Sequence, residues 1–366
     1  MKPKTEAELA EMVAGLNEPV HIKGGGTRGV AGPDAVIDTS ELTGVTLYEP
    51  GALTLVAKAG TPVAEIEAAL DAEGQQLAFE PMDHRGLLGT SGTPTIGGVV
   101  SANISGPRRV QAGACRDFLL GVGYVNGMGQ VVKNGGRVMK NVTGYDLVKL
   151  MAGSWGTLGV LTEVSLKVLP KPEVSATLSV QVPDVTTAIA ALSAALKSPF
   201  EVSGSAYDPD IGCALLRLEG FAGSVTYRSD QLKSLLSGFG EVAELDQPDT
   251  LWADLRDAAG FHEQSGDVWR ISVKPSDAPD IVARIRAERT LFDWGGGLIW
   301  ALVPVGTDLR AQLGAFDGHA SIVRAGSETL AELGRFQPEV PSTAALTKGI
   351  RQRFDPRGLF NPGLMG

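Results

Sequence analysis

The sequence has too few cysteines and histidines to build a metal centre or a disulfide framework. Its 366 residues include two cysteines, Cys115 and Cys213, and four histidines. The cysteines are far apart in the chain and lie outside any Cys-x-x-Cys pattern. Zinc, iron–sulfur and disulfide sites need closely spaced or more numerous ligands. We therefore expect two reduced, packed thiols and no metal.

Long apolar runs and an excess of positive charge are also absent. No stretch approaches the roughly eighteen apolar residues in a row that a membrane span requires. The polar start MKPKTEAE has no apolar core of a secretory signal. A formal net charge of −10 argues against nucleic acid or an anionic membrane as the main partner. These absences favour a cytoplasmic globular protein, and the chain length favours two domains.

Glycine, in contrast, is abundant: the chain has 47, most of them in its first half and clustered within apolar sequence. The first cluster, Gly24–Gly29, follows the strand-like Val20–Ile22. It matches the dinucleotide pattern G-x-G-x-x-G, but that fingerprint must open a helix. Here Gly32 and Pro33 fall where the second turn of such a helix would lie. The pattern therefore excludes a Rossmann interpretation.

The interpretation that remains for this cluster is a loop of successive backbone N–H groups that wraps an anion without a helix dipole. The hydroxyl of Thr27 and the positive charges of Lys23 and Arg28 suit such a loop. A glycine-rich surface turn is the alternative, and the loop alone does not decide between the two.

A second cluster, Gly97-Gly98, lies inside the apolar run from Thr95 to Asn103. Adjacent glycines weaken a strand or a helix unless something large packs directly on the backbone. An aromatic ring system is one such object, and a tight turn leading into a helix is the alternative. Because this second cluster is present, we favour a phosphate-binding loop over a surface turn as the interpretation of the first cluster.

The sequence pattern changes at Pro170-Lys171-Pro172, which we interpret as a boundary between two domains. Before it, the pattern predicts helices over residues 6–16 and 62–73, the second with Thr61 as its N-cap, and a hairpin turn at Asn126-Gly127. After it, a helix begins behind the N-cap Asp184, and glycine becomes sparse. Strand-like runs follow at residues 213–218, 268–273 and 298–303.

Taken together, these segments resemble the FAD-binding domain of the vanillyl-alcohol oxidase/PCMH superfamily over roughly residues 5–172. The matching segments are Gly24–Gly29, Val56-x-x-Ala59-Gly60, Thr95–Gly98, Gly113-x-x-Arg116-Asp117-x-x-Leu120-Gly121, the strand pair around Asn126-Gly127, Gly144–Leu147 and Gly153–Glu163. The resemblance implies an α+β fold with a two-part PCMH-type FAD-binding domain, residues 1–172. It also implies a smaller α+β cap domain, residues 173–353, and a C-terminal turn segment, residues 354–366, that returns to the FAD domain.

Within the superfamily the chain is most similar to the E-subunit family of bacterial glycolate oxidases (glycolate dehydrogenases). The segments that carry this similarity are MKNVTGYDL at 139–147, SGPRR at 105–109 and FDPRGLFNPG at 354–363. The resemblance implies an FAD-dependent oxidoreductase subunit with noncovalent FAD, a larger flavin-bearing partner subunit and an iron–sulfur subunit. That complex would oxidise glycolate to glyoxylate and pass electrons to an acceptor other than oxygen. It would lie in the cytoplasm, associated with the inner face of the membrane through its partner subunits.

Two departures from the superfamily limit what the resemblance implies. Members with covalent flavin carry a histidine near the position of Thr27 or Arg28, whereas His21 precedes the glycines. The larger 2-hydroxy-acid dehydrogenases bind a metal through closely spaced histidines, but after residue 172 there are only His262 and His319. No catalytic residue is therefore assigned. A stand-alone FAD-dependent dehydrogenase of another small 2-hydroxy acid or alcohol remains an alternative, as does a structural subunit.

The resemblance also implies which residues surround FAD. The pyrophosphate would lie on Lys23, Gly24, Gly25, Gly26, Thr27, Arg28 and Gly29. The flavin and its ribityl chain would lie against Thr95, Ile96, Gly97, Gly98, Ser101 and Asn103. Val160 and Thr162 would lie beside the adenine half or the ribityl chain, and Asn361 would reach the isoalloxazine edge or serve as a plain turn residue. Arg108, Arg109 and Lys140 are candidates for a cation near the flavin N1–C2=O group, or are solvated surface charges.

Overall fold

A computed structural model describes residues 1–137, 144–246 and 248–365. The folded chain forms two compact units, the first made of residues 1–105, 113–171 and 338–366 and the second of residues 106–112 and 172–337. The predicted domain limits at 172 and 353 stay a prediction, because a compact unit is not by itself an independently folding domain. Lys140 and most of the segment 139–147 lie outside the described residues.

The secondary structure of the described residues alternates short strands with short helices. The helices are α1 (Glu6–Gly15), α2 (Val63–Asp71), α3 (Arg85–Leu88), α4 (Ile96–Ser101), α5 (Arg109–Ala112), α6 (Cys115–Phe118), α7 (Leu147–Met151), α8 (Val185–Lys197), α9 (Ala222–Leu236), α10 (Pro248–Arg256), α11 (Ala278–Arg284), α12 (Leu309–Leu313), α13 (Ser327–Leu333) and α14 (Pro341–Phe354). The strands are β1 (His21–Lys23), β2 (Val36–Asp38), β3 (Val45–Glu49), β4 (Thr54–Lys58), β5 (Gln75–Gln76), β6 (Leu119–Val125), β7 (Val131–Gly135), β8 (Val160–Lys167), β9 (Leu169–Pro170), β10 (Val174–Gln181), β11 (Gly204–Asp208), β12 (Cys213–Gly220), β13 (Val242–Leu245), β14 (Asp267–Val273), β15 (Arg289–Asp293), β16 (Leu298–Val303) and β17 (Gly318–Arg324).

The first unit is built on a five-stranded antiparallel sheet of order β3-β4-β8-β6-β7. Strands β1 and β2 form a separate parallel pair. The C-terminal segment lies along the start of β1, where the backbone N–H of Val20 donates to the carbonyl of Leu359 at 2.8 Å. This return brings residues 359–361 to the strand from which the first glycine cluster emerges.

Helix α1 follows the predicted pattern closely. Thr5 caps it, since its hydroxyl oxygen accepts a hydrogen bond from the N–H of Glu8 at 3.1 Å. Leu9 and Val13, one turn apart, are fully buried, and they pack in one apolar cluster with Val20 and Phe360. The helix therefore covers the residues at the start of β1, where the C-terminal segment also packs.

Helix α2 differs from its prediction at the N-terminus. Its N-cap position is Pro62 rather than Thr61. The hydroxyl of Thr61 donates to the carbonyl of Lys58 at 2.7 Å and accepts from the N–H of Gly44 at 3.0 Å. The prediction of Thr61 as N-cap was wrong because this side chain joins two neighbouring loops instead of the helix.

The second unit contains an eight-stranded sheet of order β13-β10-β12-β11-β15-β16-β14-β17, in which every pairing is antiparallel. Asp184 caps α8 as predicted, because its carboxylate accepts from the N–H of Thr187 at 2.8 Å. Ala188 and Leu192 of α8 pack in the same core as Trp269 and Ile271 of β14. Sheets and helices in both units confirm the α+β fold class.

The predicted hairpin and the predicted thiols are also confirmed. Strands β6 and β7 pair antiparallel around Asn126-Gly127, and the side-chain carbonyl of Asn126 accepts the N–H groups of Met128 and Gln130. Cys115 and Cys213 are both free, and burial raises the pKa of the Cys115 thiol to about 12. Across the described ranges, no helix is both long and apolar enough to cross a bilayer.

Candidate FAD-binding site

A cavity of about 350 Å³ lies within the first unit, at the end of β1. Its volume falls in the range of about 300–1,000 Å³ that is typical of small-molecule and cofactor sites. The residues that line it are His21, Ile22, Lys23, Gly24, Gly25, Gly26, Thr27, Arg28, Gly29, Val30, Thr39, Ala59, Gly97, Gly98, Ser101, Ala102, Trp155, Gly156, Gly159, Val160, Leu161, Asn361 and Leu364. The fold thus brings the two glycine clusters to one cavity.

The first glycine cluster forms a loop whose backbone requires glycine. Gly26 and Gly29 have φ angles of +71° and +56°, in the left-handed region that glycine adopts without strain. Gly25 passes so close to Thr93 that a Cβ atom at position 25 would lie 1.5 Å from the Thr93 carbonyl oxygen. Strand β2, not a helix, is the next regular element, which confirms that the loop is not a Rossmann fingerprint.

The same loop presents a run of backbone donors. Within the described part of the chain, the N–H groups of Gly24, Gly25, Gly26, Thr27 and Arg28 donate no hydrogen bond to another residue. Backbone N–H groups are almost always paired with protein, water or ligand. Successive N–H groups in turn conformations form a concave site for an anion. A phosphate group fits this loop, since the loop also lines the cavity.

Arg28 adds a charged donor to the wall of the cavity. Its Nε atom is buried and has no hydrogen-bond partner among the described residues, and burial lowers the pKa of its guanidinium to about 10. The group remains a cation at neutral pH. An unpaired buried charge is costly, so an anionic ligand in the cavity would stabilise this side chain as well as the loop.

The second glycine cluster lies in the first turn of α4. The N–H of Gly97 donates to the carbonyl of Ala59 at 2.7 Å, and a Cβ at Gly98 would lie 2.7 Å from Nη1 of Arg28. Both glycines line the cavity, but the groups packed against their backbones are protein groups. The structure places this cluster at the start of a helix, and its contact with the flavin stays a prediction. The closeness of Gly98 to Arg28 joins the second cluster to the first.

Four predicted cofactor residues lie outside the cavity lining, and each has another role. Thr95 caps α4, since its hydroxyl accepts from the N–H of Gly98 at 3.4 Å, and Ile96 is fully buried. The side-chain carbonyl of Asn103 accepts from the N–H of Arg116 at 3.0 Å. Thr162 donates its hydroxyl to a carboxylate oxygen of Glu6 at 2.6 Å.

A β-bulge explains why Thr162 does not share the orientation of Val160. Strand β8 pairs Glu163 with Gly123 of β6 and then Leu161 with Tyr124, so that Thr162 is an extra residue between the two pairs. Side chains two apart share a face only in an unbroken strand. Val160 and Leu161 accordingly line the cavity, whereas Thr162 points to α1.

Asn361 lines the cavity but its amide is already used. Its side-chain carbonyl accepts from the N–H of Ile22 at 2.8 Å, and its side-chain N–H donates to the carbonyl of Trp155 at 2.8 Å. The residue is buried and has a φ angle of +44°. Asn361 thus connects β1 to the turn at Trp155. It forms part of the cavity wall, but both groups of its side-chain amide already have hydrogen-bond partners in the protein.

Sequence reasoning missed two large side chains of the cavity, His21 and Trp155. Nδ1 of His21 is buried without a hydrogen-bond partner. Burial lowers the pKa of His21, Asn361 opposes this effect and the charge of Lys23 adds to it. His21 is therefore neutral at pH 7. For His21 the sequence did contain an indication, because the alternation of side chains along β1 places it on the same face as Lys23. The sequence contained no such indication for Trp155.

Two of the basic residues predicted for the flavin N1–C2=O position, Arg108 and Arg109, contact residues of the second unit, and their role beside the flavin stays a prediction. Arg108 is buried in the second unit, where its guanidinium donates to both carboxylate oxygens of Glu219, at 2.9 and 2.6 Å. The guanidinium carbon of Arg109 lies 4.5 Å from the ring centroid of Trp294, also in the second unit.

Comparison with known proteins agrees with this site. Residues 1–135 match the family FAD_binding_4, described as an FAD binding domain. The alkyldihydroxyacetonephosphate synthase structure superposes with a TM-score of 0.73 at 17% identity, over 99% of this chain and 76% of that chain. The match in fold confirms the predicted PCMH-type architecture. The glycolate oxidase subunit GlcD of Bacillus subtilis (strain 168) is 35% identical over 142 residues, 39% of this chain and 26% of the relative.

A further relative matches from end to end. The glycolate oxidase subunit GlcE of Escherichia coli (strain K12) is 37% identical over 353 residues, which are 95% of this chain and 92% of the relative. Similarity of this extent covers both compact units and the cavity. The chain therefore belongs to the family of the glycolate oxidase subunit GlcE, whose members are subunits of an FAD-dependent oxidoreductase.

Proposed function

We propose that this chain binds FAD noncovalently in the cavity of its first unit, as one subunit of a complex that oxidises glycolate to glyoxylate. One observation carries the proposal: five successive backbone N–H groups without partners line the same cavity as the buried, unpaired guanidinium of Arg28. A dinucleotide pyrophosphate supplies the negative charge and the acceptor oxygens that this arrangement lacks.

The residues of the cavity divide the work of binding. The N–H groups from Gly24 to Arg28 would hold the pyrophosphate oxygens, and Lys23 and Arg28 would balance their charge. The predicted residues Gly97, Gly98, Ser101 and Val160 would form walls beside the rest of the molecule, together with Trp155. When bound, FAD supplies the capacity to accept two electrons from an alcohol carbon. This chain positions it, excludes water and sets the charge around it.

Attachment of FAD would be noncovalent. His21 lines the cavity, but it lies at the start of β1 and not within the glycine loop. Its neutral ring has one nitrogen, Nδ1, buried without a partner. A hydrogen bond to the cofactor would satisfy that atom.

The complex would contain further subunits. The names of the relatives, glycolate oxidase subunits GlcE and GlcD, describe an enzyme of several subunits. We propose that the partners of this chain are a larger flavin-bearing subunit and an iron–sulfur subunit, and that electrons leave for an acceptor other than oxygen. The complex would lie in the cytoplasm, held at the inner face of the membrane by its partner subunits.

The visible spectrum of the purified chain tests the proposal. We expect the absorbance of oxidised flavin, released as free FAD by denaturation, and no loss of that absorbance when glycolate is added anaerobically to the chain alone. Bleaching by a small 2-hydroxy acid or alcohol would instead show a stand-alone dehydrogenase. A colourless chain that stays colourless after incubation with FAD would show a structural subunit and would overturn the proposal.

A further inference from the structure

The second unit contains a tryptophan held in a strained position, Trp294. It follows β15 with a φ angle of +56°, in the left-handed region that bulky residues avoid. The Asp293 carboxylate accepts from its backbone N–H at 2.7 Å, and its indole N–H donates to the carbonyl of Gly106 at 3.0 Å. Trp294 as a whole is 8% exposed. Such strain persists only where surrounding contacts fix it, and it is common at ligand sites.

Two arginines lie against this one indole. The guanidinium carbons of Arg109 and Arg270 are 4.5 and 5.0 Å from the ring centroid of Trp294. Burial lowers the pKa of Arg270 to about 10; the charge of Arg109 adds to this effect and Asp293 opposes it. Both guanidinium groups thus lie near one indole, and Asp293 is a carboxylate close enough to act on Arg270.

His319 is the third residue of this cluster. In the sheet, Arg270 and Ser272 are two apart on β14, and His319 of β17 pairs with Ser272. Arg270 and His319 are therefore diagonal neighbours on one face. Burial lowers the pKa of His319, and the charges of Arg270 and Arg109 lower it further. The opposite face of β14 carries Trp269 and Ile271, which belong to the apolar core.

Other arginines of the second unit that lie over aromatic rings differ from Arg270 in one respect. Arg217, over Trp252, also pairs with Glu219. Arg310, over Trp269, donates to several backbone carbonyls. Arg270 makes no hydrogen bond and no ion pair with any residue in the described ranges. The donors of its guanidinium are thus available to a ligand.

We propose that Arg270, with Arg109 and His319, binds the carboxylate group of a small organic acid beside Trp294. A guanidinium presents two parallel N–H groups that match a carboxylate, and stacking on the indole holds its plane in place. A carboxylate here would accept hydrogen bonds from the guanidinium of Arg270, which has no hydrogen-bond partner in the described ranges. The choice of a carboxylate over another oxyanion rests on the proposed function, since glycolate and glyoxylate both carry one.

The test is calorimetric titration of the full-length chain with sodium glycolate at constant ionic strength, for the wild type, Arg270→Gln and Arg286→Gln. Arg286 is exposed in the same unit, so its variant loses the same charge away from Trp294. We expect Arg270→Gln to weaken glycolate binding by about tenfold or more, because a charge-assisted pair is lost. Arg286→Gln should bind as the wild type does, and Arg270→Lys should recover part of the affinity.

Several results would overturn the assignment. They are no binding of glycolate to the wild-type chain, equal affinities of the Arg270→Gln and Arg286→Gln variants, or displacement of glycolate by phosphate at equal concentration. Circular dichroism of each variant confirms folding, and no hydrogen bond is lost with the Arg270 guanidinium. FAD content is read separately from visible absorbance. A chain without FAD would refute the proposed function, while its glycolate titration would still decide the carboxylate site.

Discussion

Substituting alanine for Gly25 tests the role of the glycine loop most directly. A Cβ at this position would lie 1.5 Å from the carbonyl oxygen of Thr93 and 2.5 Å from its carbon. Real Cβ contacts essentially never fall under 3.0 Å, so the two backbones must separate by about 1.5 Å. Gly92, the neighbour of Thr93, is equally close: a Cβ there would lie 1.7 Å from the Gly25 carbonyl oxygen. The clash therefore involves two backbone segments, and no side-chain rotation relieves it.

A shift of that size moves the loop N–H groups beyond hydrogen-bond range of an anion they would otherwise hold. Loss of two hydrogen bonds to a charged group costs about 3–6 kcal/mol, which corresponds to a loss of FAD affinity of at least about 100-fold. Overpacking adds about 1–3 kcal/mol of destabilisation to the chain without FAD. The substitution should thus reduce affinity far more than it reduces stability.

The assay is titration of the FAD-free chain with FAD, followed by quenching of flavin fluorescence, with folding checked by circular dichroism. The matched control is Gly51→Ala, because a Cβ at position 51 meets no atom within 4 Å. The control should bind FAD as the wild type does. If folded Gly25→Ala bound FAD within about threefold of the control, a difference of under 1 kcal/mol, the loop would not be the pyrophosphate site.

Three further predictions follow from single contacts. Arg28→Gln should raise the dissociation constant for FAD about 10- to 100-fold without lowering the melting temperature of the FAD-free chain, since its buried Nε has no partner to lose; a variant that melts early with unchanged affinity would contradict this. Asn361→Ala should lower the free energy of unfolding by about 2–4 kcal/mol in urea, because the N–H of Ile22 and the carbonyl of Trp155 lose their partner. The exposed Asn17→Ala is its control, and equal effects of the two would refute the bracing role. Burial alone would raise the pKa of Glu219, but the hydrogen bond from Arg108 and the charges of Arg217 and Arg108 hold it below its usual value. The stability that this carboxylate contributes is present above the unfolded pKa of about 4.3 and is lost as pH falls through the lower folded pKa. The unfolding free energies of the wild type and Glu219→Gln should therefore converge in acid. A difference between them that stays constant with pH would exclude ionisation of Glu219 as the cause.

Local sequence rules predicted the parts of the fold that depend on neighbouring residues. The loop without a helix followed from Gly32 and Pro33, and the hairpin followed from Asn126-Gly127. The start of α8 followed from Asp184, whose carboxylate needs only the N–H three residues on. Each of these features is decided within a few residues, by backbone conformation or by a cap.

Features set by distant contacts were not predictable in this way. The bulge at Thr162 depends on the register against β6, and it reversed the predicted orientation of that side chain. Asn361 finds its partners more than 200 residues away in sequence, at Ile22 and Trp155. Nothing in the sequence around Arg270 indicates that it lacks a hydrogen-bond partner, because that depends on which residues the sheet places beside it. These positions depend on strand register and on contacts between distant residues, which cannot be inferred from a single sequence.

The separation of residues 106–112 from the rest of their unit has a consequence for protein synthesis. This segment supplies the carbonyl that binds Trp294 and the arginine that binds Glu219, yet it emerges from the ribosome well before residues 172–337. The first unit, in turn, takes up residues 338–366, which emerge after the whole of the second. The second unit is therefore complete in the nascent chain at residue 337, while the first unit still lacks residues 338–366. The unit that is translated first is thus completed last, and a nascent chain halted at Pro172 would lack the partners of Val20 at the start of β1 and of Arg108, namely Leu359 and Glu219.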